Sequence, residues 1–465
     1  MGKFFGTDGI RGIAYEFPLT GEFVVRAGYA AVKEIVREPG VFNPGADGSN
    51  SIPAVVIGRD SRQSGRDITD WLVRGVTAAG CRVIDAGVLT TPAVAYLTPK
   101  LEAVCGIVVS ASHNPPEFNG IKFFSWKGAK LPPRLEERIE ARLRAGTPVP
   151  GVTAAETKKL YSFRPELAEE YLEFLVSTMP PELNLAGMSL VIDCANGAAY
   201  KIAGQLFKRL GARVHVTGNR PDGGNINVGC GSLHLEKVCA QTRRRGADCG
   251  FALDGDADRV LFSDETGAPL DGDDIIALAA HEMHAAGTLR WDRVVLTVMS
   301  NCGLAQWLER EGIGAVSVPV GDKYVSEALE LGDLSVGGEA SGHIIFREFA
   351  PTGDGLLTAV QVLSLLRRSG RRLSWFKKLW TRYPTQLRAV KVETKVPLAK
   401  LAGFEARARA LEKGLGPGGR IFIRYSGTEP KLRILVEGPD PGLVTAAARE
   451  LENLFKEKVK GILCR

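Results

Sequence analysis

The 465-residue sequence has no Cys-x-x-Cys pair among its 8 cysteines, no apolar run long enough for a membrane span, and little excess charge. Each absence removes a class of protein. Scattered cysteines supply neither a zinc-ligand spacing nor a disulfide framework, and read as buried, reduced thiols of a cytoplasmic protein. A bilayer-spanning helix needs ~20 consecutive apolar residues, so no membrane partner is expected. The opening residues carry an acid, Asp8, and lack an apolar core, which argues against a secretory leader. A net charge of +6 is small for this length. The basic clusters at 243–245 and 367–378 lack interleaved aromatics. They read as solvated helix faces, so no nucleic-acid partner is expected.

What is present is an ordinary globular composition in a chain long enough for three or four domains. One pattern recurs three times: a short apolar strand, a polar loop, a helix-periodic stretch, a glycine and a second strand. Its copies span 54–86, 189–216 and 293–318, each with the length of a βαβ crossover. Three separated copies predict three similar mixed α/β domains instead of one large sheet. After about residue 387 the pattern changes to two alternating strands around a tight loop (420–424 and 431–437) and a closing amphipathic helix at 443–459. That is a smaller α+β domain. The expected limits are 1–152, 153–258, 259–375 and 376–465. Gly414, Gly416 and Gly419 match a dinucleotide-binding expression, but they precede a strand and read as a turn.

Four segments carry chemistry. In the first, an apolar strand at 107–109 breaks into Ser-Ala-Ser-His-Asn-Pro-Pro at 110–116. Prolines cannot continue a sheet, and Asn119-Gly120 is a turn signal, so Ser112, His113 and Asn114 are expected on a stiff loop at a strand end. Alone, a Ser-His pair is no more than a capped turn; the other segments change that. In the second, Asp254, Asp256 and Asp258 alternate, which in an extended chain puts three carboxylates on one face. Their repulsion calls for a bound cation, and oxygen ligands beside a phosphate favour Mg²⁺. Glu265 would complete a calcium-loop spacing, but Arg259 stands where that loop needs glycine and the flanks read as strands. The third segment, Gly-Gly-Glu-Ala-Ser-Gly-His at 337–343, alternates Glu339, Ser341 and His343, groups suited to sugar hydroxyls. The fourth, Arg-Tyr-Ser-Gly-Thr-Glu-Pro at 424–430, offers Arg424, Ser426, Gly427 and Thr428 as a phosphate cradle.

With Phe-Gly-Thr-Asp-Gly-Ile-Arg-Gly at 5–12, these segments stand in the order found in the α-D-phosphohexomutases, and the sequence resembles that family over essentially its whole length. The resemblance implies four domains around a central cleft, the last with a TATA-binding-protein-like fold. It implies a phosphoserine at Ser112, and one Mg²⁺ per chain held by Asp254, Asp256, Asp258 and a phosphate oxygen on Ser112. Lys122 and Arg259 would flank the reacting phosphate, with Arg11 and His113 also at active-site positions. Lys122 and His343 are the candidates for general acid/base. Glu339 and Ser341 would bind sugar hydroxyls, and Arg424, Ser426, Gly427 and Thr428 the distal phosphate. The substrate would be a hexose or hexosamine phosphate and the activator a hexose 1,6-bisphosphate, in a monomer or homodimer. The opening octapeptide and the Ser-Gly-Thr-Glu-Pro loop match members acting on glucosamine phosphates, which feed amino-sugar nucleotide and cell-wall precursor synthesis. Ala340 and Lys323 depart from that subgroup, so glucose and mannose phosphates are the alternative. A non-catalytic sugar-phosphate sensor would not need Ser112 and all three aspartates.

Overall fold

Apolar runs bounded by turn residues form four sheets in the computed structural model, which describes residues 4–6, 8–41, 52–426 and 430–463. Contacts divide the chain into two units: Met1–Val298 with Val316–Lys377, and Met299–Ala315 with Lys378–Arg465.

The first sheet of the larger unit holds β1 (Ile10–Ile13), β2 (Ala54–Arg59), β3 (Arg82–Val88), β4 (Cys105–Val109), β5 (Phe118–Ser125) and β6 (Tyr161–Phe163). Their order is β1-β5-β4-β2-β3-β6. β2 runs parallel to β3 and β4, whereas β5 returns antiparallel to β4. The central strands read as unbroken apolar runs because helices cover both faces. Val55, Ile57, Ile107 and Val109 join one core with Leu72 and Ile68 of the helix Gly65–Ala78 and Ile139 of Pro133–Arg144. On the other face lies the helix Thr91–Lys100: a Cβ added at Gly106 would sit 2.3 Å from Thr98 Oγ1, so only glycine lets strand and helix approach this closely.

The second sheet comprises β7 (Ser189–Asp193), β8 (Arg213–Thr217), β9 (Cys249–Leu253), β10 (Val260–Ser263) and β11 (Pro269–Leu270), in the order β11-β10-β9-β7-β8. The third comprises β12 (Arg293–Thr297), β13 (Gly314–Val318), β14 (Val336–Gly338) and β15 (Ile344–Phe346), in the order β13-β12-β14-β15. The smaller unit carries β16 (Thr385–Lys391), β17 (Arg420–Tyr425) and β18 (Lys431–Glu437), all antiparallel with β18 central. Leu432, Ile434 and Val436 pack against Val444, Ala448, Leu451 and Phe455 of the closing helix Pro441–Leu463. The glycine-rich stretch before β17 is a turn, with Gly416 and Gly418 at positive φ. No helix among the described residues is long and apolar enough to cross a membrane.

The strand–helix–strand copies form, with three departures from expectation. Asn119-Gly120 is not a turn but lies inside β5, opposite Gly12 and Arg11. Glycine is needed there for a close approach, since an added Cβ would meet Ser110 O at 2.7 Å, and the Asn119 amide donates to Ser64 Oγ at 2.9 Å. The third copy is divided: its helix Cys302–Arg310 belongs with the smaller unit, where Asn301 Nδ2 donates to Tyr383 O and Arg420 donates to Ser300 O. The expected domain limits also shift, because hydrogen bonding and not composition sets them. β6 pairs with β3, carrying the first sheet past residue 152, and a limit after residue 258 would cut the β9–β10 hairpin.

Candidate functional site

Parallel pairing puts the C-terminal ends of β2 and β4 side by side, and the residues that follow them build the site together. After β4 the chain turns at Ser112, whose φ of 52° is left-handed. Buried Arg62, just past β2, holds this turn. Its guanidinium donates to the carbonyls of Ser112 (3.0 Å), Asn114 (2.8 Å), Phe118 (2.9 Å) and Pro115, while its Nε pairs with Asp60 at 2.9 Å. Asn227, in the loop after β8, donates to the Ser112 and Asn114 carbonyls at 2.9 and 3.0 Å. Ser110 is committed to this scaffold: its hydroxyl donates to Asp60 and accepts from the Ser112 amide. On this loop Ser112 is 0% exposed, and its hydroxyl donates to Asp254 Oδ2 at 2.5 Å. Gly255 permits the approach, since a Cβ there would lie 2.5 Å from Ser112 O.

Asp254, Asp256 and Asp258 follow β9, and their ligand oxygens lie within 4.8 Å of one another, all buried. They do not converge by strand alternation. The chain turns between β9 and β10, with Ala257 at φ 59°, the Ala257 amide donating to Asp254 O and the Arg259 amide to Asp254 Oδ1. Burial, then the charges of Asp258 and Asp256, push the Asp254 carboxyl well above its ordinary range. Asp256 Oδ1 and Asp258 Oδ1 are buried with no hydrogen-bond partner. Orphaned carboxylate oxygens beside a serine hydroxyl are a donor set that fits a hard divalent cation.

Lys122, on β5, reaches Asp256 at 2.8 Å, Asp8 at 2.9 Å and Asp258 at 3.2 Å. Burial would lower its pKa, but these three carboxylates outweigh burial and hold it well above the ordinary lysine value. Lys122 is therefore a fixed positive charge and a poor proton acceptor. Arg11, on β1, pairs with Asp8 at 2.5 Å and donates to Asn114 Oδ1 at 3.3 Å. Arg259 lies 3.7 Å from Asp258. His113 Nδ1 is 3.3 Å from Ser112 Oγ, and burial, then Arg259 and Arg11, push its pKa down to about 4. Its ring is neutral at pH 7.

Glu339 and Ser341 form the expected polar pair, the Ser341 hydroxyl donating to Glu339 Oε2 at 3.1 Å, while Glu339 Oε1 accepts from the Gly321 amide. His343 does not share their face. Gly342, at φ 90°, breaks the alternation and turns His343 inward, 3.9 Å from Asp258 and from Asp322. The Gly353 amide donates to His343 Nε2 at 3.2 Å. A neutral ring then carries its proton on Nδ1 and has no free lone pair, so His343 is placed to donate and not to act as base. In the smaller unit, Arg424 is the penultimate residue of β17 and the Ser426 amide donates to Lys431 O at 2.8 Å. Gly427 and Thr428 lie outside the described residues.

Sequence reasoning missed Arg62, Asn227, Lys130 and Asp322, and gave no role to Asp8. Arg62 had a legible signal: Gly-Arg-Asp-Ser-Arg at 58–62 is a polar cluster at a buried strand's C-terminal end. Lys130 and Asp322 are single charges that only the fold brings together, Lys130 bridging Asp8 and Asp322.

Family profiles for the four phosphoglucomutase/phosphomannomutase domains match in chain order: α/β/α domain I at 2–149, II at 169–267, III at 271–383 and the C-terminal domain at 387–454. The phosphoglucosamine mutase of Geotalea daltonii is 42% identical over 466 residues, covering 99% of each chain. A phosphoglucomutase/phosphomannomutase family protein from Burkholderia thailandensis shares the fold at a TM-score of 0.79 and 24% identity, covering 98% of each chain. Aspergillus fumigatus N-acetylphosphoglucosamine mutase, solved with GlcNAc-6P and magnesium, does so at a TM-score of 0.65 and 18% identity, over 98% of this chain and 95% of that one.

Proposed function

The chain belongs to the phosphoglucomutase/phosphomannomutase family, and on that premise we propose that it interconverts glucosamine 6-phosphate and glucosamine 1-phosphate. The observation that carries this reading is a buried serine whose hydroxyl touches a three-carboxylate cluster, in a chain 42% identical to a phosphoglucosamine mutase from end to end.

Phosphorylated Ser112 gives its phosphoryl group to the free hydroxyl of a hexosamine monophosphate. The P–Oγ bond breaks as a new P–O bond forms, the sugar hydroxyl gives up its proton, and the serine oxygen takes one. The resulting 1,6-bisphosphate turns, and its other phosphate returns to Ser112. A loose transition state of this kind needs positioning and charge more than covalent help. Arg62 and Asn227 fix the backbone of the serine turn. Lys122 supplies a permanent charge from β5, and Arg259 a second. His113 lies beside the serine oxygen, within hydrogen-bond reach of a phosphate there, and His343 offers an N–H. Asp254, Asp256 and Asp258, with an oxygen on Ser112, would hold one Mg²⁺ per chain, which supplies charge neutralisation at the transferring group.

Glu339 and Ser341 take sugar hydroxyls in this reading, and Arg424 and Ser426, with Gly427 and Thr428, the phosphate that is not reacting. A hexose 1,6-bisphosphate recharges a serine that has lost its phosphate. The cysteines Cys81, Cys105, Cys194, Cys230, Cys239, Cys249 and Cys302 are all free thiols, which suits the reducing cytoplasm.

The test is one coupled assay comparing the 6-phosphates of glucosamine, N-acetylglucosamine, glucose and mannose with a single preparation. Glucosamine 6-phosphate should give the highest kcat/KM. A higher value for glucose or mannose 6-phosphate would assign the chain to the family's other activity.

A further inference from the structure

Lys130 stands outside every motif, yet its ammonium group joins two carboxylates that face the catalytic groups. Its backbone is fixed: the chain leaves β5 in a tight turn, the Ser125 amide donates to Ala129 O at 2.7 Å, and Lys130 bridges back to Phe124. Gly128, at φ 72°, lets that turn press against the helix Thr91–Lys100, where a Cβ would meet Ala95 O at 2.2 Å. From there Lys130 Nζ donates to Asp8 Oδ1 at 2.5 Å and pairs with Asp322 Oδ2.

Each carboxylate has its two oxygens divided between partners. With Asp8 Oδ1 on Lys130, Oδ2 faces Lys122 at 2.9 Å and Arg11 at 2.5 Å. With Asp322 Oδ1 on the Lys323 amide at 2.8 Å, Oδ2 lies between Lys130 and His343 Nε2, the latter 3.9 Å away. One cation thus sets the rotation of two carboxylates. Through Asp8 it sets Lys122 of β5 and Arg11 of β1 beside the serine and the aspartate cluster, and through Asp322, at the start of the helix Asp322–Leu331, it fixes a negative charge beside His343. A cavity of about 300 Å³ bordered by Lys130, Asp322 and Lys323 leaves an untethered Asp322 room to swing away.

We propose that Lys130 is a positioning residue for phosphoryl transfer, acting through Asp8 on Lys122 and Arg11 and through Asp322 on His343. It rests on the mutase reading given above. Nothing in it requires Lys130 to touch substrate, so its loss should appear in kcat and not in KM.

The experiment measures kcat, KM and thermal unfolding for Lys130→Met, Lys130→Arg and Asp322→Asn with glucosamine 6-phosphate at saturating hexose 1,6-bisphosphate. Lys130→Met should lower kcat by about 10- to 100-fold while KM stays within about 3-fold, because small misplacements of reacting groups cost rates of that order. Lys130→Arg, which keeps the charge, should recover most of the loss. Asp322→Asn preserves the side-chain shape and leaves Lys130 paired with Asp8, so it reports on the bridge even where Lys130→Met folds poorly; it should also lower kcat. Unchanged kcat in Asp322→Asn and in folded Lys130→Met, whatever their melting temperatures, would overturn the positioning role. So would a loss confined to KM, or a loss that Lys130→Arg does not relieve. A wild-type protein with no turnover on any hexose phosphate would instead overturn the reading beneath it.

Discussion

Arg62→Met removes the group that holds the serine turn, and its cost follows from what the guanidinium touches. The side chain is completely buried, as is its partner Asp60, and four backbone carbonyls of the loop receive its protons. Breaking a buried ion pair by deleting one partner costs about 3–5 kcal/mol. Burial already raises the Asp60 pKa despite Arg62. An unpaired Asp60 will therefore take up a proton instead of staying charged, which puts the loss near the lower figure, about 3 kcal/mol. At roughly 2 °C per kcal/mol for a large domain, melting should fall by about 6 °C. Activity should fall further than stability suggests. The carbonyls of Ser112 and Asn114 would keep only Asn227, so Ser112 Oγ would wander from the aspartates and kcat should drop by about 100-fold. Calorimetry and the coupled assay, run on the same purified variant below its melting point, would measure both. An Arg62→Met protein with wild-type melting and wild-type kcat would refute the reasoning, since the turn would then be holding itself.

Other expectations follow from single groups. Asp254→Asn should abolish most turnover yet leave melting unchanged or slightly raised, because it removes a carboxylate that burial and two like charges already disfavour; a matched fall in melting and activity would make the cluster structural. Asp354, which caps the helix Gly355–Ser369 and accepts from Tyr171 at 2.6 Å, has its pKa raised to about 6 by burial. A raised carboxyl contributes stability that is present below its unfolded value and lost as pH rises through about 6, so Asp354→Asn should gain on wild type by up to about 3 kcal/mol between pH 4 and 7. Denaturant curves across that range should show the gap opening with pH; a constant gap would mean that Asp354 ionises normally. Arg424→Ala should raise KM by about 10- to 100-fold with a smaller change in kcat, the mark of a charge-assisted contact to a group equally charged throughout the reaction, and steady-state kinetics would show it.

Local pattern carried the sheets and the motifs, and failed where contacts between distant residues decide. β2 and β4 were legible as buried strands because both faces are covered, leaving no polar alternation to confuse them. Asn119-Gly120 misled because the same dipeptide that makes a turn also serves a strand pressed against a neighbouring carbonyl. The short β6 has no pattern of its own, its inclusion resting on pairing with β3. Ser112 and the three aspartates sit in contiguous motifs and come together in the fold, although strand alternation was the wrong reason for the convergence of the carboxylates. His343 was placed on the wrong face because alternation assumes extended backbone, which Gly342 does not have. Arg62, Lys130 and Asp322 act across separations of tens to hundreds of residues, and no short window of sequence records such pairings.

The most direct measurement is peptide-level mass analysis after the protein is incubated with a hexose 1,6-bisphosphate and separated from it, followed by addition of glucosamine 6-phosphate. The buried hydroxyl beside Asp254 should carry one phosphate, located on Ser112, and that phosphate should leave when substrate is added. Ser112→Ala should show neither the phosphate nor turnover. A phosphate found only on Ser110, or full turnover in Ser112→Ala, would contradict phosphoryl transfer through Ser112.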